Sequence, residues 1–509
     1  MKKQCLQAQP AWQASIRPRF RWLVTAAGLA TVCCGPVAAQ TSTALRVTPS
    51  LDVQLGHSRV VDATGPRNDD LVQLRPKLRL SKSSGLLSGN LEYSLALEKH
   101  SNELGSEVNH QLSASLLSTL VPNRLSVSGR ASYGRRALSA FGTQYVPGST
   151  VQPENTAEVG SLSIAPVLRG PLADVAEYDL RWTGSATNQR RSLLGDSISQ
   201  QTSLSLRSAG NTLAGWVVQA ERSSSDFRAS GDTVTERASV SLVLRPDIEL
   251  ELQLRAGTES QEGLNVGRGS RSTTGGDLRW RPGPRTQAQI SADQRVFGRS
   301  SRASFDHRFA RASFRLSTTE DLLRTGNPTG LDGAQTLYEQ FFAQAASEEP
   351  DLALREQLVR TRLAQQGLDP NATVGGGFVV NGTSVQRRHD LSWSYNGLRM
   401  VMSLQAYAAR TSRIDLLGAG EEPVKQRGYT ASLSHRLGRD TSLGVQGSRN
   451  RTKAQDARPG TDLKSLNVTL TDRLGRWTTL QLSARYSVFN SVLNAYRESA
   501  ATATLSMRY

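Results

Sequence analysis

Apolar residues recur at every second position over most of this chain, and that period limits what it can fold into. Ile248, Leu250, Leu252, Leu254 and Ala256 alternate with Glu249, Glu251, Gln253 and Arg255. A helix needs a period near 3.6, whereas a strand sends successive side chains to opposite faces. Leu87–Leu97, Ala238–Leu244, Leu398–Ala408, Tyr429–Leu437, Leu466–Leu474 and Leu480–Val488 repeat the pattern. The final residues keep it: Ala501, Ala503, Leu505, Met507 and Tyr509 fall on one face, Thr502, Thr504, Ser506 and Arg508 on the other. Such a strand suits lipid on one side and water on the other. Leu505, Met507 and the terminal aromatic Tyr509 match the signal read by outer-membrane barrel assembly machinery, which usually ends on Phe.

The breaks between strands come in two kinds that take turns. Short ones include Pro122-Asn123, Pro246-Asp247, Pro282-Gly283-Pro284, Asn396-Gly397 and Gly475-Arg476, and several are hairpin signals. Longer polar ones lie at Val60–Asp70, Ala137–Asn155, Gly257–Ser272, Thr411–Gln426 and Thr452–Thr461. Bacterial barrels are built this way, with short periplasmic turns and long outer loops. The expected fold class is all-β: a transmembrane antiparallel β-barrel of about 22 strands (roughly 18–24), with one short α-helical insert. Parity points Tyr93, Tyr133, Trp182, Trp216, Trp280, Trp393 and Tyr486 outward, as an interfacial girdle requires, while Tyr407 and Phe489 point inward. Pro49, Pro76 and Pro166 sit within expected strands, where each forfeits a ladder hydrogen bond. A large soluble all-β protein, such as a secreted solenoid, is the alternative.

The N-terminus points to export. Lys2, Lys3, Arg17, Arg19 and Arg21 precede an apolar run from Trp22 to Val32, and Val37-Ala38-Ala39 offers small residues to a signal peptidase. Residues 1–39 therefore read as a signal peptide, with the mature protein starting near Gln40. All three cysteines, Cys5, Cys33 and Cys34, fall inside it, so no disulfide framework or thiolate site is expected in the mature chain. Removing five positive charges from a net +17 leaves about +12.

Residues 40–318 make the first part of the barrel, about 15 strands, and residues 378–509 the last part, about seven. Between them, Thr319–Gly377 departs from the β pattern. Leu337, Tyr338 and Phe341 share one helical face, and Leu354, Leu358 and Leu363 share another beyond Pro350. These stripes must be buried, against the lumen wall as a plug or lid or outside it as a cap. Parity places the insert on the rim opposite the C-terminus. The stretch from Leu337-Tyr338-Glu339-Gln340-Phe341-Phe342 through Leu354-Arg355-Glu356-Gln357-Leu358-Val359 to Gln366-Gly367-Leu368 resembles the PEP-CTERM (exosortase) system-associated outer-membrane proteins. Gly298-Arg299 to Arg311 is similar to that family as well. The resemblance implies an association with exopolysaccharide production and protein sorting, and a role in polymer export; it carries over no functional residue.

The parity that sends apolar residues outward sends basic ones inward: Arg75, Lys77, Arg79, Arg181, Arg207, Arg255, Arg279, Arg281, Arg315, Arg399, Arg436, Arg473, Arg485 and Arg508. Asp52, Glu92, Asp179, Glu249, Glu251 and Asp277 are the clearest inward acids. A bore lined with guanidinium groups favours anions such as an acidic polysaccharide; pairing with the acids would instead stiffen the wall. Outward Arg387, Arg449 and Arg451 suit the phosphates of lipopolysaccharide at the outer rim. The basic residues form no single patch, which argues against nucleic acid. His57, His100, His110, His307, His389 and His435 stand singly, so no metal site, cofactor or catalytic residue is assigned. Three functions remain: a channel or export conduit for anions, a non-conducting surface protein for polymer retention or biofilm assembly, and a barrel-embedded hydrolase using His57 or His100.

Overall fold

The computed structural model describes residues 45–508, apart from short stretches within connections and most of 325–382. In that span it describes Gln335, Thr336, Tyr338, Phe341, Phe342, Arg355, Leu358, Val359, Leu363, Thr373 and Val374. The expected signal peptide, Leu337, Leu354 and Tyr509 lie outside the described residues.

Among the described residues, 22 strands form one antiparallel sheet in which each pairs with its sequence neighbours. The sheet closes: the first strand, β1 (Arg46–Asp62), pairs on one side with β2 (Gly65–Ser83) and on the other with the last, β24 (Tyr496–Arg508). Closure leaves no edge whose N–H and C=O groups would face lipid unpaired. Two rows of side chains cross the seam without a break. Val72, Leu55, Ala503, Leu482 and Leu470 stand side by side on one face, and Gln73, Gln54, Thr504, Gln481 and Thr471 on the other. The first face exposes large apolar groups, with Leu55, Val72, Leu116, Leu254, Leu404 and Leu482 each 43–56% accessible. The second buries small polar ones, such as Ser58, Gln73, Ser241 and Thr469. A closed antiparallel sheet with greasy residues outside and polar ones inside is a transmembrane β-barrel of the outer-membrane type. No helix among the described residues is long and apolar enough to cross a membrane.

Fifteen barrel strands precede the insert and seven follow it. The short breaks at Pro122, Pro246, Asn396 and Gly475 all join an even strand to an odd one in barrel order, so they share one rim with the start of β1 and the end of β24. The insert leaves from the other rim. Its start is displaced from Thr319, because β15 (Ala312–Arg324) runs on and pairs Arg324 with Thr383 of β18 (Thr383–Asn396). Within the insert, Tyr338, Phe341 and Phe342 are helical, as are Arg355, Leu358, Val359 and Leu363. The two sets pack on each other: Phe341, Val359 and Leu363 form a buried cluster, flanked by Tyr338, Phe342 and Leu358. A two-residue ladder, β16 (Gln335–Thr336) with β17 (Thr373–Val374), ties the insert together.

Several expected outer loops are strands. Val60–Asp70 is a hairpin with two turn residues, and most of Gly257–Ser272 belongs to β11 (Leu250–Gly263) and β12 (Val266–Gly283). Beyond the lipid belt both faces are polar, so strand and loop compositions converge. Ile248 and Glu249 lie in a turn, not in the strand expected from Ile248 onward. The three prolines lie inside strands and cause no register shift; beside Pro76 and Pro166 the pairing to one neighbour lapses for two residues, then resumes in phase.

The two rows give a direct test. Leu482→Arg puts a charge on the lipid face and should cost about 2–4 kcal/mol near the bilayer midplane. Gln481→Arg, one residue away on the inner face, should change stability by no more than about 0.5 kcal/mol. Urea titration of the protein in lipid vesicles reads both values; equal costs would contradict the facing assigned here.

Candidate functional site: the inner wall

The inner face sorts its charges into two populations. At mid-wall the arginines are paired. Arg255 on β11 reaches across β12 to β13 (Thr286–Arg295), where its Nη1 donates to both oxygens of Asp293 at 2.7 and 2.9 Å, and its Nη2 pairs with Asp277. Gly275 makes this reach possible. It stands between Arg255 and Asp293 in the register, and a Cβ there would lie 1.9 Å from an Asp293 carboxylate oxygen. Arg237 of β10 (Gly231–Asp247) also approaches Asp293, at 3.3 Å. One turn of the ladder further along, Arg295 donates to Glu259 at 2.7 and 3.1 Å and reaches Asp321 of β15 at 3.4 Å. Glu259 is 1% exposed, so its charge is carried almost entirely by these donors and by the Val296 amide. Alternate strands are thus tied across the one between them.

The same pairing holds elsewhere. Lys77 meets Asp52 at 2.6 Å, Arg315 meets Asp306 at 3.3 Å, and Arg485 meets Glu498 at 3.0 Å. Arg279 contacts Glu251 at 3.6 Å, and Arg75 donates to Gln73 at 2.8 Å. Arg79 shares its face with Glu92, its cross-strand partner. Arg388 chelates Asp390 and lies 4.8 Å over the ring of Tyr407, which accounts for that inward aromatic.

The second population lies on the short-turn rim. Arg207, Arg281, Arg399, Arg436, Arg473 and Arg508 lie there, with Arg181 five residues further in along β7 (Ala176–Arg190); all seven are exposed, and none has an ion pair among the described residues. Arg399 is in the hairpin turn itself, where inward parity no longer applies; Arg436, Arg473 and Arg508 are the last residues of their strands. Carboxylates share this rim, Glu177 lying across from Arg207 in register, yet none is within ion-pairing reach of the seven.

The histidines go to opposite sides of the wall. His57 faces outward with Asp70 at 2.7 Å, and both are exposed. His100 is buried on the inner face with Asp69 at 2.6 Å. They therefore do not approach each other at the rim. Among the described residues no group of three or more His, Cys, Asp or Glu is arranged to hold a metal ion. Outward Arg387 pairs with Glu320 at 2.6 Å and Arg449 with Asp462 at 2.7 Å, which leaves less charge free for lipid phosphates than the sequence alone implied.

Sequence reasoning passed over Arg237, Arg295 and Arg388 and the acids Glu259, Asp293 and Glu498. Most lie near strand ends, where no apolar neighbour marks the parity; Asp293 and Glu498 show it only by alternation with Ala292 and Ala501.

No protein-family model and no curated protein matches the chain. Among solved structures it is similar to the FrpB iron transporter from Neisseria meningitidis, at 10% identity and a TM-score of 0.48 over 92% of this chain and 83% of that one. The siderophore receptor PirA from Acinetobacter baumannii is similar at 9% identity and a TM-score of 0.47, covering 92% and 81%. OpdQ from Pseudomonas aeruginosa follows at 8% and 0.33, covering 91% and 98%. At such identities the class of the protein stands on its own closed strand ladder and apolar outer belt.

Breaking one mid-wall pair isolates a buried charge. Glu259→Leu should lower the unfolding free energy by about 3 kcal/mol, because Arg295 keeps only Asp321. Adding Arg295→Met should recover most of that loss. Urea midpoints measured in vesicles check both; a double variant no better than the single would show that the cost lies in packing rather than in stranded charge.

Proposed function

We propose that the protein is a Gram-negative outer-membrane conduit for anions, and that its cargo class is acidic exopolysaccharide or small anions. The exposed, unpaired arginines on the short-turn rim carry this reading. A paired guanidinium presents little net field to the bore, whereas six unpaired ones around one mouth, with Arg181 just inside it, attract anions and repel cations as they enter. With short turns facing the periplasm, that mouth meets solutes leaving the cell. A barrel of this size has an interior wide enough to hold a plug, so transport through it needs no further opening of the wall. The family resemblance of the insert supports a link to exopolysaccharide production and PEP-CTERM sorting.

The second reading, a rigid surface protein that conducts nothing, is favoured by the mid-wall lattice of ion pairs. Planar bilayer recording separates the two. The conduit predicts single-channel steps and a reversal potential of anionic sign in a salt gradient. Replacing Arg181, Arg207, Arg436 and Arg473 together with Gln should move that potential toward zero without loss of assembly. No steps, or a cationic preference, would refute the conduit.

A further inference from the structure

We propose that the connection between β5 (Leu125–Ala137) and β6 (Thr156–Leu172) is a built-in constriction that sets the size limit of the bore, an inference that rests on the conduit reading. The sequence offers this segment as an outer polar loop. The structure seats its Ala140, Gln144, Val146, Ser149 and Val151 on the inner face, against strands up to seven positions away around the ring.

The seat is unusual for an inner wall. Val60, Leu463, Phe489 and Tyr496, from β1, β22 (Thr461–Arg473), β23 (Thr478–Ser491) and β24, form a buried apolar cluster on the polar face. Their position on that face follows from parity, since Leu466, Leu482 and Tyr486 on the same strands expose themselves outward. An apolar patch facing a water-filled bore would stay wet unless covered, and Val146 and Val151 of the loop cover it. Phe489, an inward aromatic that parity alone left unexplained, is 0% exposed beneath them.

Polar contacts fasten the loop. Glu498 is fully buried and pairs with Arg485, while its other oxygen accepts from Ser487 at 3.1 Å and from Ser149 of the loop at 2.7 Å. Tyr496 donates to the Gln144 carbonyl at 2.8 Å, and Thr461 to the Ala140 carbonyl at 3.1 Å. Arg458, from the connection before β22, lies 5.7 Å over Phe141. Contacts on a buried carboxylate, two loop carbonyls and a ring thus fix Ala140, Phe141, Gln144 and Ser149 against the wall.

The described groups that anchor the loop, the Thr143 and Ser149 hydroxyls and the Gln144 carbonyl, are neutral, and the constriction is assigned to size rather than charge. Charge selection sits at the opposite rim. The two functions should therefore separate. Deleting residues 139–154 and joining the ends with a short Gly-Ser turn should raise single-channel conductance by about two-fold or more, since the narrowest section dominates the resistance of a pore. It should also admit larger neutral sugars in liposome swelling, with the anionic sign of the reversal potential unchanged. Independently, Ser149→Cys with Ser487→Cys should form a disulfide in assembled protein, seen as a gel shift that reducing agent reverses, because both hydroxyls contact the same Glu498 oxygen. Unchanged conductance and sugar cut-off in an assembled deletion variant, or no disulfide, would overturn the constriction while leaving the conduit standing. No conductance in either form would instead refute the conduit and the constriction with it.

Discussion

Everything in this molecule depends on the pairing of β1 with β24. In hydrocarbon there is no water to satisfy a strand edge, so a sheet of 22 strands is viable only if its two ends find each other. The register at that seam is what makes the barrel two-faced: Leu55 must meet Ala503 and Gln54 must meet Thr504. A slip of one residue would turn the apolar row into the bore and the polar row into lipid. Closure thus settles, in one step, which half of every strand can carry charge.

That division explains how so basic a chain tolerates its own arginines. Along the middle of the inner wall most of the guanidiniums are matched by a carboxylate on their own strand or up to three strands off, and Gly275 leaves the gap through which Arg255 reaches Asp293. At the short-turn rim, open to solvent, the arginines need no partner and keep their field. At the other rim Val146 and Val151 of the β5–β6 connection pack on an apolar patch of the inner face. In the proposed conduit, stiffness, charge preference and size limit come from three bands of one surface, stacked along the direction of transport.

Where lipid imposes alternation, the sequence was readable. Leu250, Leu252 and Leu254 mark their strand, and the short turns at Asn396 and Gly475 mark theirs. Beyond the lipid belt that signal ends. Glu259 and Arg271 face each other across paired strands, yet their surroundings read as loop because neither face there needs to be apolar. Phe489 looked misplaced for a related reason: its covering group comes from some 340 residues away in sequence, at Val146 and Val151. The insert's apolar stripes were visible from their spacing, but not that Phe341 and Leu363 would bury against each other. His57 and His100 could be imagined together only until the register set them on opposite sides of the wall.

The most direct test of the account is accessibility along a single strand. The described residues contain no cysteine, so single cysteines can be placed at positions 179 to 184 of β7 (Ala176–Arg190) and exposed to a water-soluble thiol reagent in intact vesicles. The account predicts labelling of Asp179→Cys, Arg181→Cys and Thr183→Cys, and protection of Leu180→Cys, Trp182→Cys and Gly184→Cys. Equal labelling of both sets would mean that lipid and water do not divide the faces of this sheet, and the account would fail.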